Sequence, residues 1–125
     1  MNTINRNLIY EGAEGAKSLI TSFRSDISIS CINSEVINGL ANAKKLYRPL
    51  QVNSIYLGQN LEVNERITVD FYIDDVRLSD EFFVIPGLSE DAILGVNTFQ
   101  KWRIKLDFEH DTVIVDPKVA KAMLK

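Results

Sequence analysis

The chain has 125 residues, of which 46% are hydrophobic and 25% charged, and its net charge is −3 at pH 7. These values fit an ordinary globular domain, so we predict one domain spanning residues 1–125. The 14 Lys and Arg residues are scattered without a basic stripe, and no apolar run is long enough to cross a bilayer, so neither nucleic acid nor a membrane is expected as a partner.

Strand patterns dominate the first half of the chain, where apolar and polar residues alternate between turn-rich stretches. The predicted elements, in order, are a hairpin (7–10 and 17–23, turning at 11–15), a half-buried strand (27–31), a short helix (from 33 or 34 to about 46), an extended segment (52–57) and a turn (58–60).

The second half begins with the clearest strand pattern and then changes character. Its predicted elements are a hairpin (67–73 and 76–85, turning at Asp74-Asp75), a short apolar strand (91–95), a helix (96–102), two strands (104–108 and 112–115, turning at 109–111) and a final helix (117–124). The sum is a mainly-β fold with one to three short helices.

Three blocks of the sequence follow one another in the order and spacing of a known family. The last block joins a strand-to-helix element (Ile93, Leu94, Gly95, Asn97, Phe99) to a strand (Ile104, Leu106, Asp107, Phe108). Before it, residues 58–71 resemble a flap, and Ser28, Ser30 and Ile32 resemble the stretch after a catalytic motif. Together the blocks resemble the retroviral-type (retropepsin-like) aspartic proteases over roughly residues 5–116.

The resemblance breaks at the catalytic motif itself. It places Arg24 at the position of the catalytic Asp, Ser25 at the Thr/Ser, Asp26 at the Gly and Ile27 at the following small residue. Proteases of this family work as dimers in which one Asp from each subunit shares a proton with the other. A guanidinium remains charged at working pH and cannot act as general acid or base. We expect Arg24 and Asp26 to form ion pairs, within or across subunits.

The resemblance implies a single-lobed retropepsin-like fold, a closed or partly open β-barrel, that pairs into a homodimer. The altered motif favours a non-catalytic peptide-binding or assembly module that holds an extended peptide or protein segment. The implied contacts are the cleft floor (Ser25, Asp26, Ile27, Ser28) and the flap tip (Leu57, Gly58, Gln59, Asn60). No cofactor and no metal are expected.

Other functions stay open at this point. The main alternative is an active aspartic endopeptidase that uses Asp26 from each of two subunits. A third is a structural remnant that only dimerises, and a fourth is an unrelated small β domain.

Several polar residues have ordinary explanations. The single cysteine, Cys31, lies in an apolar pattern and is interpreted as core rather than as a nucleophile paired with His110. Turn chemistry explains residues 109–111 better than a metal site does, and Asp80-Glu81 is interpreted as solvated. One cysteine and no signal-peptide pattern predict a cytoplasmic location.

Overall fold

The computed structural model describes residues 3–123. The elements are β1 (Thr3–Gly12), β2 (Gly15–Arg24), β3 (Cys31–Asn33), a 3₁₀ helix (Ser34–Val36), β4 (Lys44–Ser54), β5 (Gly58–Ile73), β6 (Val76–Ile85), β7 (Ala92–Leu94), α1 (Val96–Trp102), β8 (Lys105–Asp107), β9 (Thr112–Ile114) and α2 (Pro117–Met123). No helix in this range is both long and apolar enough to cross a bilayer.

Six strands form a closed barrel in the order β1-β2-β7-β3-β6-β5. The ring closes where β5 pairs with β1, through Tyr10 opposite Phe71 and Glu11 opposite Asp70. Strand β4 lies outside the ring and, within residues 3–123, pairs with β5 alone. The predicted mainly-β barrel with short helices is therefore confirmed, and the barrel is closed.

Two hairpins follow the sequence pattern closely. Strands β1 and β2 pair along their full length, from Thr3 opposite Arg24 to Gly12 opposite Gly15. Strands β5 and β6 meet at Asp74 and Asp75, whose φ angles of 49° and 65° lie in the left-handed region. Two positive φ angles are typical of the tight turns that match strand twist, and Asp tolerates them better than most residues do. The predicted turn at Asp74-Asp75 is thus confirmed.

The segment between β2 and β4 differs from its predicted structure. The pattern at residues 27–31 predicts a strand, but β3 begins only at Cys31 and the preceding residues form a loop. The helix predicted to reach residue 46 is wrong beyond its first turn. The side chain of Asn33 does cap a helix, by accepting from the Glu35 backbone N–H at 3.0 Å, but that 3₁₀ helix ends at Val36. Gly39 then takes a left-handed φ of 78°, which turns the chain toward β4.

The core consists of two apolar clusters. The larger contains the rings of Tyr10, Phe71 and Phe82, which are fully buried and contact one another at tilted or edge-on angles. The smaller contains Cys31 and packs beneath the loop between β2 and β3. Burial raises the pKa of the Cys31 thiol to about 12, so this cysteine is a core residue without nucleophilic character.

Candidate functional site

The loop of residues 25–30 rests on the start of α1. The backbone N–H of Val96 donates to the Ile27 carbonyl at 2.8 Å, and that of Asn97 donates to the Ser28 carbonyl at 2.9 Å. At Gly95, a Cβ atom would lie 2.3 Å from the Ile29 carbonyl oxygen. Only glycine therefore allows the loop and the helix to approach this closely.

A buried hydroxyl pair holds the far end of the same loop. Ser30 Oγ lies 2.6 Å from Thr98 Oγ1 and accepts from the Gly95 N–H at 3.1 Å. Thr98 Oγ1 lies 2.8 Å from Asp80 Oδ2, to which it can donate, and Lys101 Nζ is 3.5 Å from the same carboxylate. The interpretation of Asp80 as a simply solvated residue is therefore wrong, because its carboxylate binds the hydroxyl pair that supports the loop.

Arg24 ends β2 and binds Asp26 within the same chain. Its Nε donates to Asp26 Oδ1 at 3.0 Å and its Nη2 to Oδ2 at 2.8 Å, which is a bidentate pair. The Arg24 side chain is only 15% exposed, and its Nη1 lies 4.0 Å from Glu90 Oε2. The hydrogen bonds from Arg24 lower the pKa of the Asp26 carboxyl. The expected ion pair is thus present in its intrachain form.

The tip of the β4–β5 hairpin folds down onto Arg24. The turn comprises residues 55–57, and the Ser54 hydroxyl accepts from the backbone N–H groups of Tyr56 and Leu57 at 3.1 and 3.2 Å. The Tyr56 ring lies over the Arg24 guanidinium, with 3.7 Å between Cζ and the ring centroid. The Tyr56 hydroxyl is 3.0 Å from Ser89 Oγ and donates to the Glu90 carboxylate. Burial, and then this bond to Glu90, raise the pKa of Tyr56.

The predicted flap residues are only partly at the tip. Leu57 belongs to the turn, whereas Gly58, Gln59 and Asn60 already form the start of β5. The turn predicted at 58–60 is therefore displaced by three residues toward the N-terminus. Sequence reasoning missed Tyr56, although an aromatic residue between Ile55 and Leu57 in a short turn is the kind of signal that marks a binding surface.

Two grooves adjoin this contact. The first, of about 360 Å³, contains all four predicted cleft-floor residues and is lined by 25–29, 52–54 and Val96. The second, of about 490 Å³, is lined by Thr3, Asn5, Ile20, Ser22, Arg24, Ser89, Glu90 and Asp91. The buried Ser22 hydroxyl has no hydrogen-bond partner among residues 3–123. The predicted floor residues thus lie together, while the hairpin contributes Val52, Asn53 and Ser54 in place of Leu57 to Asn60.

A separate cluster of titratable side chains lies at the β8–β9 turn. Potential ligand atoms of Asp107, Glu109 and His110 lie within 4.8 Å of one another. His110 Nδ1 is 2.7 Å from Asp107 Oδ2, and the His110 backbone N–H donates to Asp107 Oδ1 at 3.2 Å. These are bonds that stabilise a turn, as the sequence predicts for this segment.

No family model matches the sequence, and no curated protein is significantly similar to it. Among solved structures, the chain is similar to the crystal structure of the retroviral protease-like domain of Ddi1 from Leishmania major, with a TM-score of 0.64. The fold is retropepsin-like. The match covers 93% of this chain and 90% of the other, at 15% sequence identity, so it establishes the retropepsin-like architecture and confirms the predicted fold.

Replacing Arg24 by Gln is expected to raise the pKa of Asp26 toward its ordinary value, because the hydrogen-bonded cation that lowers it is removed. A lowered carboxyl pKa stabilises the fold above the unfolded-state pKa, and this contribution is lost as pH falls through the folded-state pKa. The difference in free energy of unfolding between wild type and Arg24→Gln should therefore become smaller on acidification below about pH 4. Carboxyl ¹³C NMR titration and urea unfolding measure the two effects.

Arg6→Gln is the matched control for this substitution, since Arg6 pairs with Asp111, outside the Arg24–Asp26 site. It should leave the Asp26 titration unchanged. An Asp26 midpoint that is the same in wild type and Arg24→Gln would contradict the role given to the ion pair.

Proposed function

We propose that this chain is a non-catalytic retropepsin-like domain that works as a homodimer and holds an extended peptide or protein segment in its cleft. The observation that carries the proposal is the bidentate Arg24–Asp26 pair at the end of β2, the position that the sequence resemblance gives to the catalytic motif. We also propose that the domain acts in the cytoplasm. Its single cysteine is buried and free, so the fold does not depend on a disulfide or on an oxidising compartment.

The chemistry of the pair argues against aspartic proteolysis. An aspartic dyad needs two carboxyls that share one proton and activate water between them. The Arg24 guanidinium stays protonated at working pH, so it can neither take a proton from water nor give one to a substrate. The rival function is an endopeptidase that uses Asp26 from two subunits. One of the two Asp26 carboxyls would then have to retain a proton, but the hydrogen bonds from Arg24 favour the ionised form of each.

The groove and the strand beside it support binding of an extended segment. Residues 25–29 form one wall, and Val52, Asn53 and Ser54 of β4 form the other. Within the described residues, β4 is hydrogen-bonded to a strand on one side only. An edge strand next to a groove is suited to strand addition, in which backbone hydrogen bonds give affinity and side-chain pockets give specificity.

The single-lobed architecture supports the proposed homodimer. One chain contributes one loop at residues 25–30 and one β4–β5 hairpin, which supplies half of a two-sided cleft. A two-fold axis is the usual way to complete such a cleft. Because Asp26 neutralises Arg24 within each chain, two Arg24 side chains near the axis would not repel each other as free cations. If only the dimer formed, without peptide binding, the chain would be a structural remnant.

A matched pair of tryptophan substitutions tests the proposal. Ser28 and Ser18 are both exposed serines, but only Ser28 lines the groove. A diverse peptide pool is passed over immobilised protein near neutral pH, and the retained peptides are identified by mass spectrometry. We expect wild type and Ser18→Trp to retain intact peptides, and Ser28→Trp to lose at least about tenfold in affinity for them.

Sedimentation equilibrium on the same proteins measures the second part of the proposal. A mass of two chains is expected. Equal peptide retention by Ser28→Trp and wild type would refute binding in this groove, and a monomer at high concentration would refute the homodimer.

A further inference from the structure

The residues that contact Tyr56 form a receptor that fits a phenol side chain. The guanidinium of Arg24 provides a flat cationic platform at 3.7 Å, which is favourable for an aromatic ring. Ser89 and Glu90 meet the hydroxyl at the far end of the ring. Arg24 ends β2, and Ser89 and Glu90 lie in the loop that leads into β7, whereas Tyr56 belongs to the hairpin tip.

The receptor is held in place by bonds that do not involve Tyr56. Asp26 fixes the guanidinium through two hydrogen bonds, and the Ser89 hydroxyl donates to the Glu90 carboxylate. The next residue, Asp91, accepts from the Ile20 backbone N–H at 3.0 Å, and its carbonyl accepts from the Asn33 N–H at 2.9 Å. The platform and the Glu90 carboxylate that accepts from the phenol hydroxyl should therefore persist when Tyr56 moves away.

The turn that carries Tyr56, by contrast, is joined to the barrel through few hydrogen bonds. Ile55, beside Tyr56 in the turn, is fully exposed, and the backbone of the turn is hydrogen-bonded to its own Ser54. Within residues 3–123, the hydrogen bonds that join this turn to the barrel all pass through the Tyr56 hydroxyl. Leu57, the third residue of the turn, packs against the smaller core cluster, so the part of the tip that can leave the barrel is the Tyr56 side chain.

On the basis of the proposed peptide binding, we propose that the cleft contains a tyrosine subsite formed by Arg24, Ser89 and Glu90, and that Tyr56 fills it when no peptide is bound. Arg24 lines one groove and its partner Asp26 lines the other, so the ion pair at the base of this subsite borders both grooves. The preferred ligand is an extended segment that places one tyrosine there and displaces Tyr56.

The chemistry of the subsite sets its selectivity. Phenylalanine can stack on Arg24, but it leaves the Glu90 carboxylate without the hydroxyl donor that tyrosine supplies. Phosphotyrosine would bring two negative charges toward the carboxylates of Glu90 and Asp26, which repel them. The expected order of affinity is therefore tyrosine, then phenylalanine, then phosphotyrosine.

The small phenol p-cresol, with toluene as the matched probe lacking the hydroxyl, tests the subsite directly. In Tyr56→Ala the subsite is vacated, and p-cresol should bind at least about tenfold more tightly than it does to wild type, where Tyr56 competes. Binding is followed through the NMR signal of the Arg24 Nε–H. Toluene should bind Tyr56→Ala more weakly than p-cresol does. The thermal midpoint of Tyr56→Ala confirms that the variant is folded.

The outcomes separate this inference from the proposed peptide function. Equal p-cresol affinity in wild type and Tyr56→Ala, or an Arg24 signal that does not move, would overturn the subsite even if peptides still bind. Tight p-cresol binding to Tyr56→Ala, with no retained peptide in any variant, would support the subsite and refute the peptide function. Retained peptides with no enrichment of tyrosine would count against the subsite alone.

Discussion

Gly95→Ala is expected to lower the free energy of unfolding by about 2–3 kcal/mol. The added Cβ would lie 2.3 Å from the Ile29 carbonyl oxygen and 2.7 Å from that of Ile27, closer than such atoms approach in real structures. Both contacts are to backbone, so the loop must move as a unit. That movement weakens the bonds from Val96 to Ile27 and from Gly95 to Ser30. Urea unfolding followed by circular dichroism measures the loss.

Gly87→Ala is the control, because a Cβ at that position meets nothing within 4 Å while its φ of 76° is unfavourable for alanine. Its expected loss is smaller, about 1 kcal/mol, and is due to the backbone conformation alone. The amide NMR signals of residues 25–30 should shift in Gly95→Ala and remain in place in Gly87→Ala. A Gly95→Ala protein as stable as wild type would show that the loop is not packed on α1 as described.

Phe82→Ala should lower the free energy of unfolding by about 3–5 kcal/mol, the range for removing a large buried aromatic side chain. Phe82 is 0% exposed, and its ring contacts Tyr10 at 5.7 Å and Phe71 at 5.8 Å between centroids, both edge-on. These three rings come from β1, β5 and β6, and β1 pairs with β5 where the barrel closes. The substitution leaves a cavity at that closure.

Tyr47→Ala removes an aromatic ring that is 95% exposed and should change stability by no more than about 0.5 kcal/mol. Urea midpoints of the two variants, measured side by side, give the comparison. Similar losses in both would mean that the barrel closure at β1 and β5 is not a principal source of stability.

Elements with a strong local pattern could be predicted from the sequence. The helix of residues 96–102 has the predicted bounds, because Phe99 and Trp102 share a buried face and Gly95 precedes its first turn. Residues 27–31 could not be predicted correctly from alternation alone. Ile27 is buried as the pattern requires, yet bonds to α1 hold it in a loop, and no local pattern encodes those bonds.

The candidate site, like the fold, has one part that could be predicted from the sequence and one part that could not. The pair of Arg24 and Asp26 could be expected, because the two opposite charges are two residues apart at the end of a strand. The contact of Tyr56 with Ser89 and Glu90 could not, since these residues are 33 and 34 positions from Tyr56 and meet only when the hairpin folds onto the barrel.

Cleavage of a diverse peptide pool from about pH 3 to about pH 7, by wild type beside Asp26→Asn, tests most directly the central proposal that this retropepsin-like domain is not a peptidase. We expect intact peptides from both proteins at every pH, because the sequence resemblance puts Arg24 where a catalytic Asp would stand, and the hydrogen bonds from Arg24 favour the ionised form of Asp26. Cleavage by wild type that disappears in Asp26→Asn would contradict the claim and would make Asp26 the catalytic residue.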